Sequence, residues 1–318
     1  MQLTTALEGF WLSKARSLSQ NTVNDYNHSY GRFVRFLSGQ HIEDIETVTP
    51  QHINAFLTWL DTDQGLAPKT ILNHWIALSA LWTWAEKELE LPHIIRGRIV
   101  PPRVRRQQPE PYTKENVKRM IEACDQTDHW RTKPGVRTRR STAKRDKAIL
   151  FTLLDTGLRA SELCDLRIED YDKSIGKLIV RKGKGGKPRS VFLGYTARSA
   201  LWRYLEDRQR RRKQDTGDSK LDKTEGLFTT ASGRHLTRDN LLHMIQAVGR
   251  RADVAGATVH RWRHTFAINM LRNGCNPYAL QELLGHSDME TVRLYLKIVD
   301  QDLRGAVASA SPADQWRL

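Results

Sequence analysis

Residues 156–163 read Thr156-Gly157-Leu158-Arg159-Ala160-Ser161-Glu162-Leu163, and residues 260–267 read His260-Arg261-Trp262-Arg263-His264-Thr265-Phe266-Ala267. Both stretches put polar groups where a helical core pattern wants apolar ones. In the first, Gly157 suits the left-handed residue that ends a helix, so Arg159 falls at the turn where the next helix begins. Glu162 lies three residues on, on the same face, and can hold the guanidinium by a charge-assisted bond. Taken alone, a structural ion pair at a helix junction explains this segment as well as a function does. In the second, His260 and Arg263 share a face at i and i+3, while Phe266, Ala267, Met270 and Leu271 continue as an apolar stripe. A third stretch, Leu283-Leu284-Gly285-His286-Ser287, ends a helix at Gly285 and is followed by Thr291-Val292-Arg293-Leu294-Tyr295. In isolation Tyr295 reads as a packed aromatic and His286 as a cap.

Working outward, Lys177-Leu-Ile-Val-Arg and Arg189-Ser-Val-Phe-Leu read as two short strands around the turn Lys182-Gly-Lys-Gly-Gly-Lys-Pro. A helix capped by Thr113 and an apolar helix from Ala148 to Leu154 precede them, separated by a basic loop from Arg131 to Arg145. Arg208 to Lys213 reads as an exposed helix end. Residues 1–91 are helical: a Leu3–Leu12 segment comes first. A stripe of Val23, Tyr26, Tyr30, Phe33, Val34 and Leu37 follows the cap cluster Ser19-Gln20-Asn21. Thr49-Pro50 and Pro68 open two more helices. The aromatic stripes are expected to be core rather than base-stacking surface. Residues 92–111, with Arg96, Arg98, Arg103, Arg105, Arg106 and five prolines, read as a basic, extended linker.

Lys and Arg total 51 against 36 acidic residues, a formal charge of +15, so polyanions are attracted before contact and double-stranded DNA leads the expected partners. Cys124, Cys164 and Cys275 are isolated and show no zinc-ligand spacing; they read as reduced core residues, which implies a cytoplasmic protein. No apolar run is long enough to span a bilayer, so no membrane partner is expected. Neither a Gly-Lys-Ser/Thr phosphate loop nor an acidic cluster for paired metals is found, so no cofactor or metal is expected.

Together, Thr-Gly-Leu-Arg-x-Ser-Glu-Leu, a hairpin lysine, His-x-x-Arg-His-Thr-Phe-Ala, Leu-Gly-His and Thr-x-x-x-Tyr resemble, in order and spacing, the catalytic domain of tyrosine recombinases, the phage integrase and Xer family. The resemblance implies a mainly α protein of tyrosine-recombinase fold. Its parts would be a helical, SAM-like core-binding domain (1–91), the linker (92–111), an α-rich catalytic domain with a small antiparallel sheet (112–299), and a tail (300–318) that docks on a neighbouring subunit. It implies Arg159 and Arg263 as the phosphate grip, His260 and His286 completing the pocket, Lys184 as acid, Tyr295 as nucleophile and Glu162 in support of Arg159. Lys184 is preferred over Lys182 and Lys187 because aligning Arg189, Val191 and Leu193 with the family's second strand places it there. The expected activity is site-specific recombination by a homotetramer on paired sites, through a 3′-phosphotyrosine link and a Holliday junction. Without DNA the chain would be a monomer or weak dimer.

The chemistry suits these residue types. Tyrosine attack exchanges one phosphate ester for another, so rejoining needs no ATP. Arginine forks neutralise the charge that builds on the nonbridging oxygens. A tyrosine of ordinary pKa about 10 needs a base, for which His260 is the expectation, and the leaving 5′ oxygen needs an acid. Three features depart from the family pattern: Trp262 stands where leucine is usual, the Arg131–Arg145 loop is long and basic, and the chain opens directly on the core-binding helices. A topoisomerase-like or telomere-resolving enzyme with the same chemistry, and a non-catalytic DNA-binding protein on the same fold, remain the alternatives.

Overall fold

A computed structural model describes residues 1–104, 110–125, 140–181, 188–216, 222, 225–285, 289–299 and 311–313. The chain divides into two units, Met1–Gln107 and Gln108–Leu318.

The first unit contains α1 (Leu3–Lys14), α2 (Gln20–Ser38), α3 (Pro50–Thr62) and α4 (Pro68–Glu88). Their starts follow local chemistry. The Ser19 hydroxyl accepts from the Thr22 N–H, and Pro50 and Pro68 occupy first-turn positions where a missing N–H costs nothing. The aromatic stripes converge inward: Phe10, Tyr30, Phe33, Phe56 and Trp82 are all buried, with Phe33 edge-on to Phe56 at 5.0 Å. Within the stretch expected to be extended, Ile94, Ile95 and Ile99 are buried in this same core. A turn there bonds the Arg98 and Ile99 N–H groups to the Ile95 carbonyl.

The second unit contains α5 (Lys114–Ala123), α6 (Ala143–Thr156), α7 (Ala160–Asp165), β1 (Tyr171–Asp172), β2 (Lys177–Val180), β3 (Arg189–Phe192), α8 (Tyr195–Thr216), α9 (Arg238–Arg251), α10 (Val259–Arg272), α11 (Pro277–Leu284) and α12 (Glu290–Val299). The molecule is thus mainly α with one antiparallel sheet of order β1-β2-β3 among the described residues. The two strands read from sequence pair as expected, Val180 opposite Arg189 and Leu178 opposite Val191. The two-residue β1 was not anticipated; it is too short to carry a pattern.

α6 packs between α8 and α10 at the centre of this unit. It begins at Ala143 rather than Ala148, so residues 143–145 belong to the helix and not to the basic loop. The charged first turn is stabilised by partners no local pattern reveals. Buried Asp146 accepts from Arg145, and Lys144 reaches buried Asp207 at 2.8 Å. Residues 126–139 of that loop lie outside the described residues. Arg208 to Lys213 is also not simply an exposed end. Arg208 and Arg212 both bond Glu225, while Arg210 and Arg211 bond Asp207. Cys124 and Cys164 are free and buried, with burial pushing both thiols up to about 12; Cys275 is free and partly buried. Among the described residues no helix is long and apolar enough to cross a membrane.

Candidate active site

α6 stops where Gly157 adopts φ +58°, a left-handed conformation that glycine reaches without steric cost. A Cβ there would lie 2.4 Å from Phe266 Cδ1 and 3.0 Å from Leu284 Cδ2, so glycine is also required by the close approach of α10 and α11. The turn delivers Arg159 to the N-cap of α7. Buried Glu162 accepts the Arg159 backbone N–H on Oε2 and the guanidinium Nη1 on Oε1, both at 2.8 Å. The ion pair anticipated at this junction is formed.

Arg263, on α10, is 3% exposed. Its Nη1 donates to the Gly157 carbonyl and its Nη2 to the Leu284 carbonyl, each at 2.7 Å. Arg159 Nη2 donates to the next carbonyl, Gly285, at 3.3 Å. A helix leaves its last carbonyls without intrahelical partners. Here the end of α11 is satisfied by side chains from α10 and from the α7 N-cap, which makes the two guanidinium groups neighbours. Gly285 sits at φ +64°, the helix end expected there. Burial first, then the charge of Arg159, lowers the Arg263 pKa to about 10, which leaves it a cation at neutral pH.

His260, one turn before Arg263, stands at an open cleft that it lines together with Leu158, Arg159, Arg238, Asp239 and Arg263. Partial enclosure, and then the charges of Arg263 and Arg159, lower its pKa, so neutral imidazole is favoured. Tyr295, on α12, is 1% exposed and packs with Phe266, Leu280, Leu284 and Val292. Burial raises its pKa, while the charges of Arg263 and Arg159 pull it down. Its hydroxyl is 2.9 Å from His264 Nδ1, and the His264 ring in turn meets His260 edge-on at 4.1 Å. Burial first, then the neighbouring His260 ring and the Arg263 charge, hold His264 down at about 4.

The structure therefore brings Arg159, Glu162, His260, Arg263 and Tyr295 into one neighbourhood. Lys184 and His286 lie outside the described residues. Two further residues join this neighbourhood beyond the expected set. His264, i+4 from His260, shares its helix face. Arg189, expected only as the first residue of a strand, meets both oxygens of Glu162 with its guanidinium. Trp262 is fully buried against Tyr112, rings 4.9 Å apart, behind the site. Among the described residues no group of three His, Cys, Asp or Glu side chains could hold a metal ion.

Residues 111–302 match the model of the Phage integrase family, and residues 7–88 match that of the Phage integrase, N-terminal SAM-like domain. The chain is 30% identical over 319 residues to tyrosine recombinase XerD of Mycobacterium leprae, covering 98% of each. Over 216 residues it is 33% identical to tyrosine recombinase XerA of Thermococcus kodakarensis, covering 67% of each. Two solved structures have the same fold at lower identity. The XerH site-specific recombinase bound to palindromic difH substrate, a post-cleavage complex, is 22% identical with a TM-score of 0.70, covering 93% of this chain and 82% of that one. A lambda integrase dimer bound to a COC′ core site is 17% identical with a TM-score of 0.68, covering 96% of this chain and 97% of that one.

Proposed function

This chain belongs to the phage integrase family of tyrosine recombinases, and from that premise we propose that it cleaves and rejoins DNA at specific sites through a 3′-phosphotyrosyl link formed by Tyr295. The observation that carries the proposal is the anchoring of Arg159 and Arg263 to consecutive carbonyls, Gly285 and Leu284, which presents two guanidinium groups side by side. A phosphodiester bound there loses charge repulsion toward an incoming oxyanion, in a setting drier than bulk water.

In the proposed step, Tyr295 Oη forms a bond to phosphorus and the bond from phosphorus to O5′ breaks. The phenolic proton passes to a neighbouring neutral imidazole, His260 or His264, and O5′ takes a proton from Lys184. His286 donates to a nonbridging oxygen. Glu162 holds Arg159 and carries no proton, since it accepts bonds from Arg159 and Arg189 and its pKa stands at about 2. Rejoining reverses the step with a different 5′ hydroxyl, and two such exchanges in a homotetramer pass through a Holliday junction. The segment after Val299 is the proposed bridge between subunits, and residues 1–91, 92–111 and 112–299 the proposed DNA-binding, linking and catalytic parts. The surplus of basic residues supplies the salt-sensitive hold on the duplex.

The test is to select duplexes from a random pool, place a nick near the selected site, and trap the adduct. Mass spectrometry should find DNA on Tyr295. Tyr295→Phe should abolish the adduct and leave duplex binding, whereas Tyr278→Phe, whose ring is exposed on α11, should leave both. Attachment at another residue would refute the assignment.

A further inference from the structure

Arg189 opens β3, and its side chain is 11% exposed. Its Nη1 donates to Glu162 Oε1 and its Nη2 to Glu162 Oε2, both at 2.8 Å, a fork-to-fork pair. Its Nε donates to the Leu283 carbonyl, also at 2.8 Å. The guanidinium therefore faces inward at all three nitrogens. Glu162 is shared: Oε1 accepts from Arg189 Nη1 and Arg159 Nη1, and Oε2 from Arg189 Nη2 and the Arg159 backbone N–H.

The end of α11 shows the same sharing. Leu283, Leu284 and Gly285 offer three consecutive carbonyls, and they are taken by Arg189, Arg263 and Arg159 respectively. Gly285 lies against the Arg189 group so closely that a Cβ would stand 3.0 Å from Nη1 and 3.1 Å from Cζ. Arg189 is thus where the carboxylate that orients Arg159 and the turn that anchors both other arginines meet. A buried ion pair contributes little net stability compared with an apolar pair of similar volume, because desolvation offsets the attraction. What it does supply is angular definition, and lysine, a point charge, cannot span both carboxylate oxygens and a carbonyl at once.

We propose that Arg189 is a positioning residue of the strand-cleavage site, acting through Glu162 on Arg159 and through the Leu283 carbonyl on the turn that anchors Arg159 and Arg263. This rests on the function proposed above. Arg189 does not touch the phosphate; it sets where the cations that do so stand.

The experiment uses the full chain with Arg189→Lys, and two trapping duplexes. One has an ordinary scissile phosphodiester. The other has a methylphosphonate, in which a neutral methyl replaces one nonbridging oxygen. If Arg189 acts through Arg159, Arg189→Lys slows adduct formation on the phosphodiester on the order of a hundredfold, the usual cost of a misplaced catalytic group. On the methylphosphonate the loss shrinks to a fewfold, because the charge Arg159 met has been removed. Arg159→Lys should show the same selectivity, and the double variant should be no slower than Arg159→Lys. The ratio of rates on the two substrates does not depend on how much protein is folded, so a partly destabilised variant still reports.

Equal slowing on both substrates, multiplicative losses in the double variant, wild-type rates, or a variant too unstable to form any adduct would each overturn the proposal, the last by making Arg189 a fold residue. An adduct from the wild type with an unchanged substrate ratio in Arg189→Lys defeats this inference alone. Absence of an adduct from the wild type defeats the proposed function, and this inference with it.

Discussion

Gly157→Ala separates backbone strain from crowding at the residue that delivers Arg159. Its φ of +58° costs an L-residue about 1–2 kcal/mol. The added methyl would stand 2.4 Å from Phe266 Cδ1, well inside the usual contact of about 3.5–4.0 Å, and overpacking of that kind costs about 1–3 kcal/mol. The expected loss is therefore about 2–5 kcal/mol, which for a unit of this size lowers the melting temperature by on the order of 10 °C. Gly274→Ala is the matched control: φ is +83° but nothing lies within 4 Å, so only the backbone cost of about 1–2 kcal/mol applies. Gly31→Ala, on exposed helical surface with nothing within 4 Å, should instead stabilise by about 0.5–1 kcal/mol. Calorimetry of the three variants and the wild type gives the comparison. Because the Gly157 carbonyl holds Arg263 Nη1, adduct formation by Gly157→Ala should also fall below wild type at temperatures where the variant remains folded. Equal melting temperatures for Gly157→Ala and Gly274→Ala would show that α10 and α11 do not press on this turn.

His74, 2% exposed on α4, has its pKa lowered to about 4, by burial first and then by Arg32 and His28. The unfolded chain takes up a proton near pH 6.5 that the folded one refuses, so stability falls as pH drops through this window, by about 2 kcal/mol between pH 7 and pH 5. His74→Gln should flatten that slope in full-chain melting curves, and an unchanged slope would exclude His74 as its source. His264→Phe leaves the buried Tyr295 hydroxyl without its partner, at about 1–3 kcal/mol, and adding Tyr295→Phe should recover part of the loss; additive melting shifts would count against the bond. Lys184→Ala should slow cleavage of an ordinary phosphodiester far more than one with sulfur at the bridging 5′ position, which leaves without a proton. Selective rescue of Lys182→Ala or Lys187→Ala would move the acid along the turn.

Much of this architecture was legible because it is written locally. Gly157 and Gly285 announce left-handed helix ends, Thr113 caps α5 by accepting from the Asn116 N–H, and Glu162 meets Arg159 within one helical turn. The parts that escaped depend on partners distant in the chain. Arg189 reads as a solvated strand end until Glu162, 27 residues earlier, and Leu283, 94 residues later, close on it. Lys144 and Arg145 look like loop residues because their partners, buried Asp207 at 63 residues' remove and the Thr229 carbonyl at 84, lend them no periodic signal. His264 gives no local signal, because a histidine following an arginine carries no mark of the tyrosine 31 residues further on. The order of the motifs compensated for this blindness at Tyr295, whose surroundings alone suggest only packing.

The bonds that aim the arginines span long stretches of chain: Arg159 to the Gly285 carbonyl crosses 126 residues, and Arg263 to that of Gly157 crosses 106. During synthesis at about 5–20 residues per second, the first arginine waits on the order of ten seconds for the carbonyl that will orient it. A nascent chain already attracts DNA by charge, yet it holds neither a fixed pair of cations nor Tyr295. Under the proposed mechanism, a protein that breaks DNA leaves the ribosome harmless. It becomes able to cut only once α11 and α12 have been made, which limits the damage that truncated or stalled products can do.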